Sequence, residues 1–258
     1  MILHKKSTSC PQELLVIRHG ESMQNVHNNQ RILFPQLIKH VATRLGSPLA
    51  WNFTRSIDFV FGRNSRLPYA DPDVPLSPAG IIQSVKLGYS LAAQNLLPDI
   101  IITSPYRRAV DTAAYLRRSC GDLDIPIIPY DFLREKEEGF FDGIPVNYLQ
   151  HIFLQETKRF EELGFIAYHA PDRGKAKGES AYDHYKRVTE GLRSLLRKYV
   201  GMRIAIVAHG MTNMHIECYL SEIPLEQALA EKRYKMPNCS LTVYDCLENE
   251  EKYTKIQP

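Results

Sequence analysis

The sequence predicts an α/β fold, a mainly parallel mixed sheet flanked by helices on both faces, with helical insertions over the active site. Three observations lead there. Short apolar runs recur at 14–17, 99–103 and 203–208, as expected of strands buried on both faces. Longer segments with helical spacing and recognisable caps separate them. The runs also end in polar residues, and the carboxyl ends of strands are where open α/β sheets bind ligands.

The first strand, 14–17, runs straight into Arg18-His19-Gly20. Residues 77–95 read as a helix: Ser77 can cap it, Pro78 suits the first helical position, and apolar residues recur to Leu96. A second strand at 99–103 leads through Ser104-Pro105 into a helix reaching about residue 118. A third short strand follows at 125–128. Ser180 with Asp183 resembles a capping box and opens a helix ending near Tyr199. The fourth strand, 203–208, ends at His209-Gly210. Helices near 211–220 and 225–232 come next, then a strand within 240–246 and another near 252–256. Strands alternating with helices of this length give a sheet covered on both faces.

Two stretches break the rhythm. Residues 26–72 hold an amphipathic helical pattern (Leu37, Ile38, Val41, Leu45) and then an aromatic patch, Trp51, Phe53, Phe59 and Phe61. Residues 144–178 hold helical signals and then a polar Gly/Lys/Arg loop. Both read as insertions on a single domain spanning 1–258, placed to cap the site and select its substrate.

Composition narrows the classes. With 258 residues, 44% hydrophobic and 24% charged, the chain is not collagen-like, mucin-like or broadly disordered. Thirty-two basic against 29 acidic residues leave a net +3, which argues against a nucleic-acid binder. No apolar run approaches the roughly 18 residues needed to cross a bilayer, and 14–17 is too short for a signal-peptide core. The five cysteines (Cys10, Cys120, Cys218, Cys239, Cys246) are odd in number and lack CxxC spacing, suggesting neither a disulfide framework nor a zinc site. A cytoplasmic protein without membrane or nucleic-acid partner is expected.

The strand ends share one chemical theme. The first delivers Arg18 and His19, the second leads to Arg107 and Arg108 at a helix start, and the fourth delivers His209. Guanidinium forks and helix N-termini suit phosphate oxygens. Histidines without a metal motif suggest covalent catalysis, since neutral imidazole, with its pKa of about 6.5, is a competent nucleophile. A departing alkoxide needs a proton donor, and Glu135-Lys136-Glu137-Glu138 lies just after the third strand.

Arg18-His19-Gly20-Glu21-Ser22 with Asn25 resembles the RHGxSxxN signature of the histidine phosphatase superfamily, also called phosphoglycerate-mutase-like. Asp73-x-x-Leu76-Ser77-x-x-Gly80 is similar to a further family step. Ser104 to Ala109 with Thr112-Ala113 resembles S-x-L-x-R-A-x-x-T-A, which selects Arg108 over Arg107. Leu133-Arg134-Glu135 with Gly139 and Asp142-Gly143 resembles L-x-E-x-x-x-G-x-x-E-G, with Asp142 in place of the usual Glu. Gly178-Glu179-Ser180 and Val207-Ala208-His209-Gly210 complete the set.

The resemblance implies roles. His19 would attack phosphorus; Glu135 would protonate the leaving oxygen and then activate water. Arg18, Arg108 and His209 would hold the equatorial oxygens. Asn25 and the backbone at Gly20 and Glu21 would be further phosphate donors. No metal or organic cofactor is needed. Glu137 and Glu138 are alternatives to Glu135 as the acid. Arg107 reads as solvent-facing, Glu179 as a buttress, and His151, His169, His184 and His215 as surface or satisfied core histidines.

Two departures favour phosphatase over phosphoglycerate mutase-type transfer: Glu135-Lys136-Glu137-Glu138 stands where the mutases carry E-R-H-Y, and Trp51 is the only tryptophan. A non-catalytic phospho-ligand or protein-binding module is the third alternative, disfavoured because nucleophile, acid and arginines are all present. Residues 26–72 hold six Lys/Arg against two Asp, a net +4, leaving the remainder at −1. Arg173, Lys175 and Lys177 lie in the second insertion. A cap so charged would attract a multiply anionic small molecule, such as a sugar bisphosphate or inositol polyphosphate. The partner expected is thus a phosphorylated small-molecule substrate; the sequence leaves the oligomeric state open.

Overall fold

The computed structural model describes residues 10–26, 71–121, 124–139, 154–170, 178–247 and 252–257. Six strands form one sheet: β1 (Glu13–Arg18), β2 (Ile100–Thr103), β3 (Ile127–Pro129), β4 (Arg203–Ala208), β5 (Leu241–Leu247) and β6 (Lys252–Gln257). Their spatial order is β3-β2-β4-β1-β5-β6. The first four strands in that order are mutually parallel, while β5 and β6 run antiparallel at one edge.

The apolar runs are explained by burial on both faces. Along β1, Leu14 and Val16 face one side, with Ile100, Ile102, Ile204 and Ile206, against Leu192 and Leu195 of α4 (Ala181–Lys198) and Ile216 and Leu220 of α5 (Gly210–Leu220). Leu15 and Ile17 face the other, with Ile101, Ala205 and Val207, against Leu91 of α1 (Pro78–Ala93) and Ala109, Ala113 and Leu116 of α2 (Arg107–Ser119). Each Leu, Ile or Val side chain among them, removed fully from water, contributes about 1.5–3 kcal/mol. Two further helices are α3 (Leu154–Ala167) and the short α6 (Leu225–Ala230).

The caps form as the sequence predicts. Gly80 N–H donates to Ser77 Oγ at 3.0 Å, with Pro78 opening the helix. Ser180 and Asp183 make a reciprocal capping box at α4. The helix after Ser104-Pro105 starts slightly later than those residues, at Arg107, because the Tyr106 N–H turns back to Ser104 Oγ (3.3 Å) and Tyr106 stays extended. Of the two insertions, residues 27–70 lie outside the described residues, as do 140–153 and 171–177. The Trp51 aromatic patch, Asp142, His151 and the basic loop therefore fall there.

Cysteine pairing departs from the sequence reading. Cys10 and Cys246 form a disulfide 236 residues apart. Local spacing carries no sign of it, because the antiparallel β1–β5 ladder, with Glu13 opposite Asp245, is what brings the two together. Cys120, Cys218 and Cys239 are outside this disulfide; the first two are buried and the third is half-buried. Among the described residues, no helix is long and apolar enough to cross a membrane.

The turn after β1 packs backbone to backbone on the first turn of α1. A Cβ added to Gly80 would sit 2.0 Å from Glu21 O, and one added to Gly20 would sit 2.6 Å from Gly80 O. Gly80→Ala is therefore expected to destabilise the protein by about 1–3 kcal/mol through overpacking. Chemical denaturation would measure it, and an unchanged midpoint would show that the contact is not tight.

Candidate active site

Parallel pairing in register gathers the site. Arg18 stands opposite Ala208 and Thr103 opposite Val207. The next residue of each strand (His19, Ser104 and His209) thus leaves the sheet at the same end. His19 is 4% exposed and His209 fully buried, their rings edge-on with centroids 5.1 Å apart. The His19 backbone is tied on both sides: its N–H donates to Ala208 O (2.9 Å), and its carbonyl accepts from Asn238 Nδ2 (3.0 Å) and Cys239 N–H (3.3 Å).

The ring chemistry follows from these partners. His19 Nδ1 lies 2.7 Å from Gly20 O. A carbonyl can only accept, so the proton resides on Nδ1 and Nε2 carries a bare lone pair. Burial, and then the charges of Arg108 and Arg18, lower the His19 pKa well below the ordinary imidazole value and hold the ring neutral. His209 is oriented in the opposite sense. Its Nε2 is 2.8 Å from Ser104 Oγ, and that oxygen already accepts from Tyr106 N–H. With the hydroxyl proton pointing at His209 Nε2, the His209 proton lies on Nδ1. That nitrogen is buried with no partner among the described residues, as is Arg18 Nε. Buried polar groups rarely stay unmatched, and both of these donors suit an oxyanion.

The charges sit close enough to act on one another. The field of Arg108 is felt at Arg18, His19, Glu135 and His209. Arg18 is anchored by a bond from Nη1 to Met236 O. Arg108, the second residue of α2 and nearly buried, donates from Nη1 to the carbonyl (2.8 Å) and carboxylate (3.0 Å) of Asp71 and lies over the Tyr106 ring at 4.9 Å. Glu135 sits in the loop after β3. Its carboxyl accepts from Lys136 N–H (3.0 Å) and from Met211 N–H (3.3 Å) in the first turn of α5. Burial raises its pKa above the usual carboxyl value, against the lowering effect of those amides and of Arg108. The site thus holds a neutral imidazole, two guanidiniums and a carboxyl biased towards its protonated form.

Gly20 and Glu21 are a correction. The sequence reading makes their backbone phosphate donors, but Gly20 N–H donates to Thr112 Oγ1 (3.0 Å) and Glu21 N–H to Gln83 Oε1 (2.9 Å). The Glu21 carboxylate accepts from Ser77 Oγ (2.7 Å), so this residue locks the turn to the cap of α1. Both amides are used up by helices that the chain reaches only 60 to 90 residues later. Asn25 occupies a middle position. Its Oδ1 accepts from Ser22 N–H, Ser22 Oγ and Asn238 Nδ2 at 3.0, 3.0 and 3.3 Å, leaving its amide protons as the only groups it can offer an anion.

Other expectations fall in place. Glu137 is engaged by Arg134, and Glu138 is exposed and paired with Lys136 at 2.9 Å. Arg107 faces solvent beside Asp111. Glu179 buttresses through a double contact with Arg187, 2.7 Å to each carboxylate oxygen. His169 pairs with Asp183 at the surface. His184 and His215 are fully buried but not fully satisfied: His184 Nδ1 and both ring nitrogens of His215 are unmatched among the described residues. Burial, and then Arg187 and Lys136, push its pKa down to about 3.

Sequence reading quotes Ser104 and Thr112 within a motif but gives them no role, and it misses Asn238 and Asp71 as parts of the site. Ser104 was discoverable, since it stands at a strand end like His19 and His209. Asn238 and Asp71 carry no local signal. Among the described residues, no group of three or more His, Cys, Asp or Glu is arranged to hold a metal ion. The unmatched donors suit an oxyanion, and the bare Nε2 of His19 is chemically competent as a nucleophile.

Comparison with known proteins agrees with this geometry. The chain is 28% identical over 151 residues to the uncharacterized phosphatase PhoE of Bacillus subtilis, covering 58% of this chain and 65% of that one. It is 32% identical over 178 residues to a 2,3-bisphosphoglycerate-dependent phosphoglycerate mutase of Rhizobium etli, covering 67% and 79%. A putative alpha-ribazole-5'-P phosphatase of Escherichia coli has the same fold, with TM-score 0.65 at 17% identity over 95% of this chain and 94% of that one. The profile of the histidine phosphatase superfamily (branch 1) matches residues 62–257. That match begins beyond Arg18 and His19, which β1 carries into the same site. With a match across most of its length and this strand-end site, the chain belongs to the histidine phosphatase superfamily, branch 1.

Proposed function

We propose that this protein is a phosphatase that hydrolyses phosphate monoesters through a phosphohistidine on His19. The observation that carries the reading is the His19 tautomer: Nδ1–H is tied to Gly20 O, so a bare Nε2 stands beside two guanidiniums and the unmatched donors of Arg18 and His209. Nε2 attacks phosphorus and the ester P–O bond breaks. The leaving oxygen takes the proton of the Glu135 carboxyl. The resulting carboxylate then removes a proton from water as its oxygen attacks phosphorus, the N–P bond breaks, and neutral His19 and reprotonated Glu135 are restored. Arg18, Arg108 and His209 stabilise the equatorial oxygens throughout. Arg108 must first exchange Asp71 for substrate oxygens.

A second reading is mutase-type transfer, favoured by relatives named as phosphoglycerate mutases. It uses the same phosphohistidine and differs only in whether water or a bound product receives the phosphoryl group. The substitution of Lys136-Glu137-Glu138 for the mutase residues after Glu135 favours water.

We read residues 1–258 as one catalytic domain with 26–72 and 144–178 as elements that choose the substrate. The described cations near the site beyond Arg18 are already paired: Arg108 with Asp71, Arg134 with Asp131, Lys136 with Glu138 and Arg187 with Glu179. They supply charge for one phosphate. A preference for multiply anionic small molecules, such as a sugar bisphosphate or inositol polyphosphate, therefore rests on the net +4 of residues 26–72.

Two measurements check this account. Purified protein assayed against phosphorylated metabolites, with 3-phosphoglycerate isomerisation in parallel, should release inorganic phosphate, do so faster from bisphosphates than monoesters at low salt, and lose all turnover in His19→Ala. Isomerisation without release would favour the mutase, equal rates at all ionic strengths would remove the charge argument, and turnover in His19→Ala would end the mechanism. The second is a pH profile. His19 must be unprotonated, and its lowered pKa means that activity fails only when pH falls well below the ordinary imidazole range. Glu135 must be protonated, so activity on alkyl esters fails as pH rises through its raised pKa. The optimum should lie on the acid side of neutrality; a rate that climbs from neutral into alkaline pH would contradict the assignment.

A further inference from the structure

The loop that carries Glu135 has no regular hydrogen bonding of its own, yet its backbone is held at almost every step. Arg134 O accepts from three side chains: His184 Nε2 (3.1 Å), Thr212 Oγ1 (3.1 Å) and Arg187 Nη1 (3.3 Å). Arg187 also donates to Phe132 O (2.9 Å) and to Glu135 O (3.4 Å). Its remaining face grips Glu179. Glu179 in turn takes Glu137 N–H on its carboxylate (3.1 Å) and donates its own N–H to Glu137 O (2.8 Å). The donors come from α4, α5 and the segment leading into α4, so two packed helices act on one short loop.

We propose that Arg187, His184 and Thr212 are positioning residues that aim the Glu135 carboxyl at the leaving-group oxygen. Three features carry this. The three donors converge on the carbonyl immediately before Glu135 and so hold the peptide plane from which its side chain departs. His184 and Thr212 are fully buried, so neither competes with water for the contact. His184 must also donate through Nε2–H, since Arg134 O can only accept; the His215 ring packed edge-on at 4.8 Å fixes its plane. A lone carbonyl in a loop needs one donor; three indicate that its position matters.

The inference rests on Glu135 being the proton donor, and the test separates the two. A general acid matters in proportion to how poor the leaving group is. Full-length wild type, Glu135→Gln, Arg187→Lys, Thr212→Val and Thr212→Ser should be compared on an activated aryl ester, p-nitrophenyl phosphate, and on an alkyl ester, glycerol phosphate. Arg187→Lys is expected to lower kcat/KM on the alkyl ester by roughly 10²-fold, the scale of a displacement of about 1 Å. Its kcat/KM on the aryl ester, which reports the steps up to phosphorylation of His19 and not the later activation of water by Glu135, and its inhibition by inorganic phosphate should stay within about threefold, since the phosphate-holding groups and His19 are untouched. Thr212→Val, which removes one donor without a charge change, should show the same selective loss in smaller measure, and Thr212→Ser should restore it. Because Thr212→Val leaves the Arg187–Glu179 pair intact, it keeps the test decisive should Arg187→Lys not fold. Equal losses on both esters, or none on either, would overturn the positioning role. If Glu135→Gln itself shows no preference for the aryl ester, the assignment of Glu135 fails instead.

Discussion

The parallel ladder between β1 and β4 is the constraint on which the rest depends. With Arg18 opposite Ala208, the residues one step further, His19 and His209, must emerge side by side. Because strand side chains alternate in direction, a slip of one residue would turn Leu15 and Ile17 into the opposite layer and send His19 away from His209. The register is held by a double core: one set of β1 and β4 side chains is locked under α4 and α5, the other under α1 and α2. The reactive geometry is thus secured by apolar burial on both faces.

Given that placement, the protonation states follow from surroundings. Two imidazoles buried beside two guanidiniums cannot easily acquire further charge, and they remain neutral. Glu135 is buried in the same cleft but is biased the other way, towards keeping its proton. One environment therefore favours an unprotonated imidazole and a protonated carboxyl together, the separation of titrating groups on which acid–base chemistry near neutral pH depends. Neighbouring hydrogen bonds then select the atoms: Gly20 O fixes which nitrogen of His19 is bare, and Ser104 occupies His209 Nε2, leaving Nδ1 unmatched among the described residues.

Much of this was legible in the chain because it is locally encoded. Strand ends carrying Arg18-His19 and His209, the Ser77-Pro78 start of α1 and the Ser180/Asp183 capping box each show within a few residues. What could not be read is made by topology. Cys10 meets Cys246 only through the β1–β5 ladder. Asn238 reaches His19 O from 219 residues away, and Asp71 faces Arg108 across 37. Gly20 and Glu21 were misassigned for the same reason: motif position suggests free amides, whereas Thr112 and Gln83 on later helices had already taken them. His184 reads as a bland core histidine in sequence, and its contact with Arg134 O appears only once α4 is packed beneath the loop.

The most direct test of the central claim is to trap the covalent intermediate. Protein mixed with a phosphate monoester, quenched in alkali to preserve a phosphohistidine, and mapped by fragmentation and phosphorus NMR should carry its phosphoryl group on His19, at Nε2. Phosphate on any other residue, phosphate on His19 Nδ1, or steady turnover with no covalent phosphate at all would contradict the account.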